Sequence, residues 1–302
     1  MTTYLEALQW ANEMLRAASG RFASPMLDAE VLLAEATEIP RSRLFLRFDA
    51  PLRPDQIGRF EGFVRRRAAF EPVAYIVGRK EFAGRLFRVN PFTLIPRPAT
   101  EALAAAAIEL AGEGSRDATI FADVGTGSGA IAVTLAAETH LPVIATDASR
   151  PALAVARLNA EAHGVAGLVE GRHGRGLEPV ARVCEAVRAS GRRLPYDHLI
   201  LCANLPYLPE TRWEELQEDI RRYEPRSALL SGPDGLRDYW ELFRALKSRR
   251  AVLPMRASCI IEIDPTQALT APALIRHAFP AASVRIAKDM EGFDRVVIVT
   301  GL

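Results

Sequence analysis

Asp123-Val124-Gly125-Thr126-Gly127-Ser128-Gly129 decides the fold. The apolar run 119–124 before the glycines reads as a strand, and 129–138 after them reads as a helix. Glycines in such a turn let the backbone bend sharply and come close to a ligand. Asp147 ends the next apolar run, 142–146, and lies 22 residues beyond Gly125. An acid about 20 residues past such a loop can accept hydrogen bonds from ribose hydroxyls. Turns that bind a pyrophosphate space their glycines as G-x-G-x-x-G, whereas residue 130 here is Ala. The loop therefore suits a nucleoside cofactor without a phosphate. Its candidate contacts are Asp123, Gly125, Thr126, Gly127, Gly129 and Asp147. The plainer alternative is a structural glycine turn followed by an ordinary strand-end acid.

Working outward, helices and short strands alternate. Helices are expected over 101–111 and 149–163, and further strands near 167–170, 198–202, 258–263, 283–287 and 295–300. Strands separated by helices imply a parallel, doubly wound sheet. The last two strands are too close for a helical crossover, so the final one should be antiparallel. Upstream, Phe82, Leu86, Phe87 and Val89 are interrupted by Gly78, Gly84 and Pro91, which suggests a β-hairpin linker over 76–96. Residues 1–75 read as a small helical domain. Leu5, Leu8 and Leu15 recur near helical spacing, and Ser24-Pro25 looks like an N-cap followed by proline at the first helical position. The expected fold class is α/β: a doubly wound, seven-stranded Rossmann-like domain over 97–302, preceded by that helical domain.

Composition narrows the function. Lys+Arg 38 against Asp+Glu 37 leaves a net charge of +1, unlike the strong basic excess of a general polyanion binder. Cys184, Cys202 and Cys259 form no C-x-x-C pair, so neither a zinc site nor a disulfide framework is indicated, and no metal is expected. The first 15 residues lack a basic segment followed by an apolar one, so they do not read as a signal peptide. No apolar run approaches the ~20 residues that span a bilayer. The expected location is the cytoplasm.

A second motif, Asn204-Leu205-Pro206-Tyr207, follows the strand 198–202. Ligands of open α/β sheets bind at the carboxyl ends of such strands. The residue types fit a planar, weakly nucleophilic nitrogen. Asn204 offers the oxygen of its amide group, and Leu205 the oxygen of its backbone, to the two N–H groups of that nitrogen. Pro206 fixes the turn, and Tyr207 offers a flat apolar face. Taken alone, such a tetrapeptide is more often an Asn-initiated turn; its place in a sheet that also carries the glycine loop favours the functional reading.

With these residues in view, the sequence resembles the peptide chain release factor N5-glutamine methyltransferases. Further likeness lies in Glu71-Pro72-Val73-Ala74-Tyr75-Ile76, Leu94-Ile95-Pro96-Arg97-Pro98-Ala99-Thr100-Glu101, Asn159-Ala160, Tyr223-Glu224-Pro225-Arg226 and Ile261-Glu262-Ile263. The resemblance implies a class I methyltransferase domain using S-adenosyl-L-methionine, and a helical domain that helps hold the protein substrate. The substrate would be the glutamine of the release factor's Gly-Gly-Gln loop. Catalytic contacts would come from Asn204, Leu205, Pro206 and Tyr207, with Asn204 also touching cofactor. Arg97 would line the substrate cleft. The sequence departs from the family pattern at Leu205, usually proline, and at Ala99, usually an acid. Near the usual adenine-binding acid it has Glu170-Gly171-Arg172-His173-Gly174.

The rival is an N6-adenine methyltransferase acting on RNA or DNA, since an exocyclic amino group sets the same positioning problem. It would need a basic surface, for which Arg65-Arg66-Arg67 is the candidate. Near-zero net charge favours the protein substrate, and no direct nucleic-acid contact is expected. A non-catalytic module that kept the fold is the remaining alternative.

Overall fold

The computed structural model describes residues 3–19, 22–113 and 118–302. They form two compact units: Met1–Arg79 with Leu216–Glu224, and Lys80–Glu215 with Pro225–Leu302.

In the first unit, α1 (Tyr4–Ser19) buries Ala7, Leu8, Ala11 and Leu15, a three-to-four-residue spacing that makes one apolar face. Helix α2 (Pro25–Thr37) starts on proline and stops at Glu38, whose backbone is left-handed (φ 59°). Helix α3 (Pro54–Ala68) also starts on proline, and the Gln56 side chain accepts from Arg53 N at 3.0 Å. Its Phe60 and Val64 join the core, with Ile76 from the short α4 (Val73–Val77). The three arginines that end α3 are all paired. Arg65 meets Glu61 at 3.1 Å and Arg66 meets Glu71 at 2.6 Å. Arg67 is buried, bonded to Asp28 at 2.8 Å and Asp219 at 3.3 Å, with its guanidinium 4.0 Å from the Phe22 ring centroid. A buried guanidinium needs such partners, because desolvation would otherwise exceed the gain.

The hairpin β1 (Arg79–Phe82) and β2 (Arg85–Arg88) turns through Ala83 and Gly84. Downstream stand α5 (Glu101–Gly112), β3 (Thr119–Val124), α6 (Ala130–Thr139), β4 (Val143–Asp147), α7 (Arg150–Ala162), β5 (Val169–His173), α8 (Glu178–Ala189) and β6 (His198–Ala203). After α9 (Glu218–Tyr223), which belongs to the first unit, come α10 (Arg237–Arg249), β7 (Arg256–Glu262), α11 (Thr270–Ala278), β8 (Ser283–Lys288) and β9 (Asp294–Thr300).

The seven strands lie in the order β5-β4-β3-β6-β7-β9-β8. The first five run parallel; β9 pairs antiparallel with β7 and β8. Alternation along β3 sends Phe121 into one core and Ile120, Ala122 and Val124 into the other, so both faces are covered. The two edge strands, β5 and β8, are the largely exposed ones. The Glu-Gly-Arg-His tail of β5 has no apolar alternation, which is why the sequence suggested 167–170 and the strand runs on to His173. The backbone winds outward from β3 to β5 and then returns to β6 on the other side of β3. That reversal opens a crevice at the carboxyl ends of β3 and β6, where both motifs sit.

Candidate functional site

The glycine loop is shaped from below and from the side. Gly125 N and Thr126 N donate to Thr146 O at 2.9 and 2.8 Å, drawing the loop against β4. Asp123 is wholly buried; its Oδ2 accepts from Thr126 Oγ1 at 2.6 Å and from Ala132 N at 3.1 Å. Burial pushes its carboxyl up to about 7, against the lowering effect of those two bonds. Asp123 thus holds the loop to the first turn of α6 and does not face the cleft. Gly125, Thr126 and Gly127 do line it, with Asp147. Gly129 sits behind them, where a Cβ would come 3.0 Å from the Ala156 side chain, so its glycine serves the packing of α6 on α7.

Asp147 occupies the strand end that the sequence suggested. Its Oδ2 accepts from Gly127 N at 2.9 Å and its Oδ1 from Ser149 N at 2.7 Å. A carboxylate has about four acceptor sites, so acceptor capacity remains for a pair of hydroxyls. Asn159, fully buried, ties three elements together: Oδ1 accepts from Arg88 N at 2.8 Å, and Nδ2 donates to Arg88 O at 3.0 Å and to Ser128 O at 2.7 Å. The hairpin and the back of the glycine loop are therefore one assembly.

The cleft has a volume of about 480 Å³, in the range of small-molecule sites. Asn204, Leu205, Pro206, Arg97 and Thr100 line it as well. Asn204 Nδ2 donates to Thr100 Oγ1 at 3.1 Å. Because the amide is planar, fixing Nδ2 turns Oδ1 away from Thr100 as an acceptor. Leu205 N meets the Tyr239 hydroxyl at 3.3 Å, which orients the peptide unit on the amino side of Leu205. The Leu205 side chain lies over the loop: a Cβ on Gly125 would stand 3.0 Å from Leu205 Cδ2, and Gly125 has φ +78°. Gly125 and Leu205 thus bring the two motifs into direct contact.

Tyr207 is placed differently from Asn204, Leu205 and Pro206. It packs against the core, its hydroxyl donates to Glu262 Oε1 at 3.0 Å, and burial pushes that hydroxyl up. Its carbonyl accepts from Gln267 Nε2 at 2.9 Å. Gly235 closes over the same carbonyl, where a Cβ would come within 2.0 Å. Tyr207 therefore does not line the cleft as Asn204 does; it fastens the end of the turn.

On the β5 side, Arg172 pairs with Glu170 on the exposed edge and is not part of the cleft wall. Arg175 is. It meets Asp238, another lining residue, at 2.7 Å and Glu241 at 3.2 Å. Sequence reasoning did not single out Thr100, Arg175, Asp238, Tyr239 or Glu262 as site residues. Thr100 and Glu262 stood only inside stretches of family likeness, and the other three carried no local signal.

The residues present fit a nucleoside cofactor: a cleft-lining glycine loop whose Gly125, Gly127 and Gly129 all take the left-handed backbone that glycine favours, and an acid beyond it with acceptor capacity. Among the described residues no group of three His, Cys, Asp or Glu could hold a metal ion, and no helix is long and apolar enough to cross a membrane.

Comparison with known proteins agrees with this geometry. Residues 6–78 match the PrmC N-terminal domain family. The release factor glutamine methyltransferase of Bacillus subtilis (strain 168) is 37% identical, with 98% of this chain and 97% of that protein covered. The enzyme of the same name from Chlorobaculum tepidum is 38% identical, covering 92% and 91%. Among solved structures, the hMettl16 catalytic domain in complex with MAT2A 3'UTR hairpin 6 superposes with a TM-score of 0.50 at 13% identity, covering 82% of this chain and 81% of that one. This last likeness is one of fold alone.

Proposed function

The chain belongs to the release factor glutamine methyltransferases, and on that premise we propose that it moves a methyl group from S-adenosyl-L-methionine to the side-chain amide nitrogen of the glutamine in the Gly-Gly-Gln loop of peptide chain release factors. The observation that carries the reading is the Asn204–Thr100 hydrogen bond, 3.1 Å long, which engages Nδ2 of this cleft-lining residue and leaves Oδ1 as its acceptor.

A glutamine amide nitrogen is a poor nucleophile because its lone pair is delocalised into the carbonyl. Asn204 Oδ1 and Leu205 O accept its two N–H groups and hold the nitrogen in line with the methyl. Position 205 is asked only for a backbone oxygen, so leucine serves where the family pattern that the sequence resembles usually has proline. The cofactor, when bound, would supply a sulfonium methyl and leave as a neutral thioether, and the methylated nitrogen gives up one of its two protons to solvent. Gly125, Thr126, Gly127 and Asp147 hold it, Asp147 through ribose hydroxyls, and Asp123 keeps their loop in shape. Arg97 lines the substrate side, and Pro206 and Tyr207 fix the turn. Catalysis is then mainly positioning, which for well-oriented reactants accounts for about 7–11 kcal/mol of a barrier. We assign residues 1–75 to substrate binding, 76–96 to the linker and 97–302 to methyl transfer, and place the enzyme in the cytoplasm with its substrate.

The Asn-Leu-Pro-Tyr spelling also suits an adenine amino group, so the test runs substrates side by side. Labelled cofactor is incubated with the enzyme and purified release factor, RNA or DNA. Label on the release factor glutamine alone is expected. Label on adenine N6, with none on the release factor, would overturn the reading.

A further inference from the structure

Beneath the acceptor turn lies a group that the transfer chemistry does not call for. Glu262 ends β7, next to β6, where Ala203 is in register with Ile261. It is 1% exposed. Oε1 accepts from the Tyr207 hydroxyl at 3.0 Å. Oε2 is buried with no hydrogen-bond partner among the described residues. The nearby Thr100 hydroxyl and the Arg295 and Arg97 charges favour the carboxylate, against burial, which pushes it up. Thr100 in turn accepts from Asn204 Nδ2 at 3.1 Å. The backbone carbonyl of Glu262 accepts from the Tyr239 hydroxyl, which Leu205 N meets at 3.3 Å. Asn204, Leu205 and Tyr207 are all held, directly or through one intervening residue, from this one strand end.

A buried carboxyl with one oxygen unsatisfied is costly, so the acid is not the side chain that packing alone would select. Removing it singly leaves the buried Tyr207 hydroxyl without its acceptor. We propose that Glu262 is a positioning residue for methyl transfer: it fixes the Tyr207 end of the acceptor turn directly and sets the Thr100 hydroxyl that orients Asn204. This rests on the function assigned above, with Asn204 and Leu205 receiving the amide. Glu262 does not touch substrate; it acts through Thr100 and Tyr207.

Glu262→Met separates this role from a merely structural one. It is expected to melt somewhat below wild type because the Tyr207 hydroxyl loses its acceptor, to bind S-adenosylhomocysteine within about twofold of wild type by calorimetry, and to lose about 30-fold in kcat toward release factor. Glu262→Gln keeps an oxygen that can accept from Tyr207 and is expected to recover to within about fivefold of wild type. Tyr207→Phe should cost almost nothing further in the Glu262→Met background, because one connection is already broken. The Asn204 side-chain amide resonance should move in Glu262→Met without any substrate. A wild-type enzyme inert toward release factor would sink the function and leave this resonance to decide the positioning. Unchanged kcat in Glu262→Met, fully additive losses with Tyr207→Phe, an unmoved Asn204 side-chain resonance, or equal loss of melting temperature and cofactor affinity in both Glu262 variants would overturn the proposal.

Discussion

Asn204 and Thr100, 104 residues apart in sequence, meet through a 3.1 Å hydrogen bond from Nδ2 to Oγ1. That bond selects which end of the Asn204 amide faces the acceptor. Thr100→Val removes the oxygen and keeps the shape. One neutral hydrogen bond contributes about 1 kcal/mol, so kcat toward release factor should fall roughly fivefold. Cofactor affinity, measured by calorimetry, should not change. An unaltered kcat would show that Thr100 does not orient Asn204.

Asp147 bonds Gly127 N and Ser149 N with its two oxygens, so its loss acts twice on the cofactor side. On the proposed reading it removes the ribose acceptor, and it frees the tip of the glycine loop. Asp147→Ala should raise the Kd for S-adenosylhomocysteine by about 10- to 100-fold, the equivalent of one or two charge-assisted hydrogen bonds. Isothermal titration measures this directly, and an unchanged Kd removes Asp147 from the site.

Asp123 gives a pH dependence whose sign is fixed by burial. Its carboxyl rises from 3.8 to about 7 on folding, so the folded protein holds that proton more tightly than the unfolded state does. Its stabilising contribution is complete below the unfolded value and is lost as pH climbs through the window to about 7. Asp123→Asn stays neutral and can still accept from Thr126 and Ala132. The stability of the variant relative to wild type should therefore increase, by on the order of a few kcal/mol, from about pH 4 to about pH 7, and level off above. Urea unfolding at several pH values checks it; a constant difference would mean that Asp123 is ionised in the fold throughout.

The parts of the site that could be read in advance are those whose signal is local. The glycine loop, Asp147 and the Asn204 turn each occupy a few consecutive residues at a strand end, and backbone geometry alone dictates their composition. Alternating apolar runs likewise disclosed the sheet, because both faces of its central strands are buried. Edge strand β5 was placed less well, since exposed Glu170, Arg172 and His173 carry no hydrophobic period. Thr100 and Glu262 could not be deduced from spacing. They reach the turn from 104 and 55 residues away, and only folding brings them there. Tyr207 shows the same limit from the other side: an aromatic beside an acceptor motif looked like a stacking surface, yet its hydroxyl is taken by Glu262. The Arg65-Arg66-Arg67 run looked basic because the sequence does not reveal that Glu61, Glu71 and Asp28 neutralise it.

The central claim is that Asn204 holds the glutamine amide, while the glycine loop and Asp147 supply most of the hold on the cofactor. Single-turnover methyl transfer to purified release factor by Asn204→Ala, with cofactor affinity measured on the same preparation, tests it most directly. The account predicts transfer reduced by about 1,000-fold or more, as for other losses of substrate positioning, with Kd for cofactor within about threefold of wild type. Transfer at the wild-type rate, with the methyl still on the glutamine amide, would contradict it.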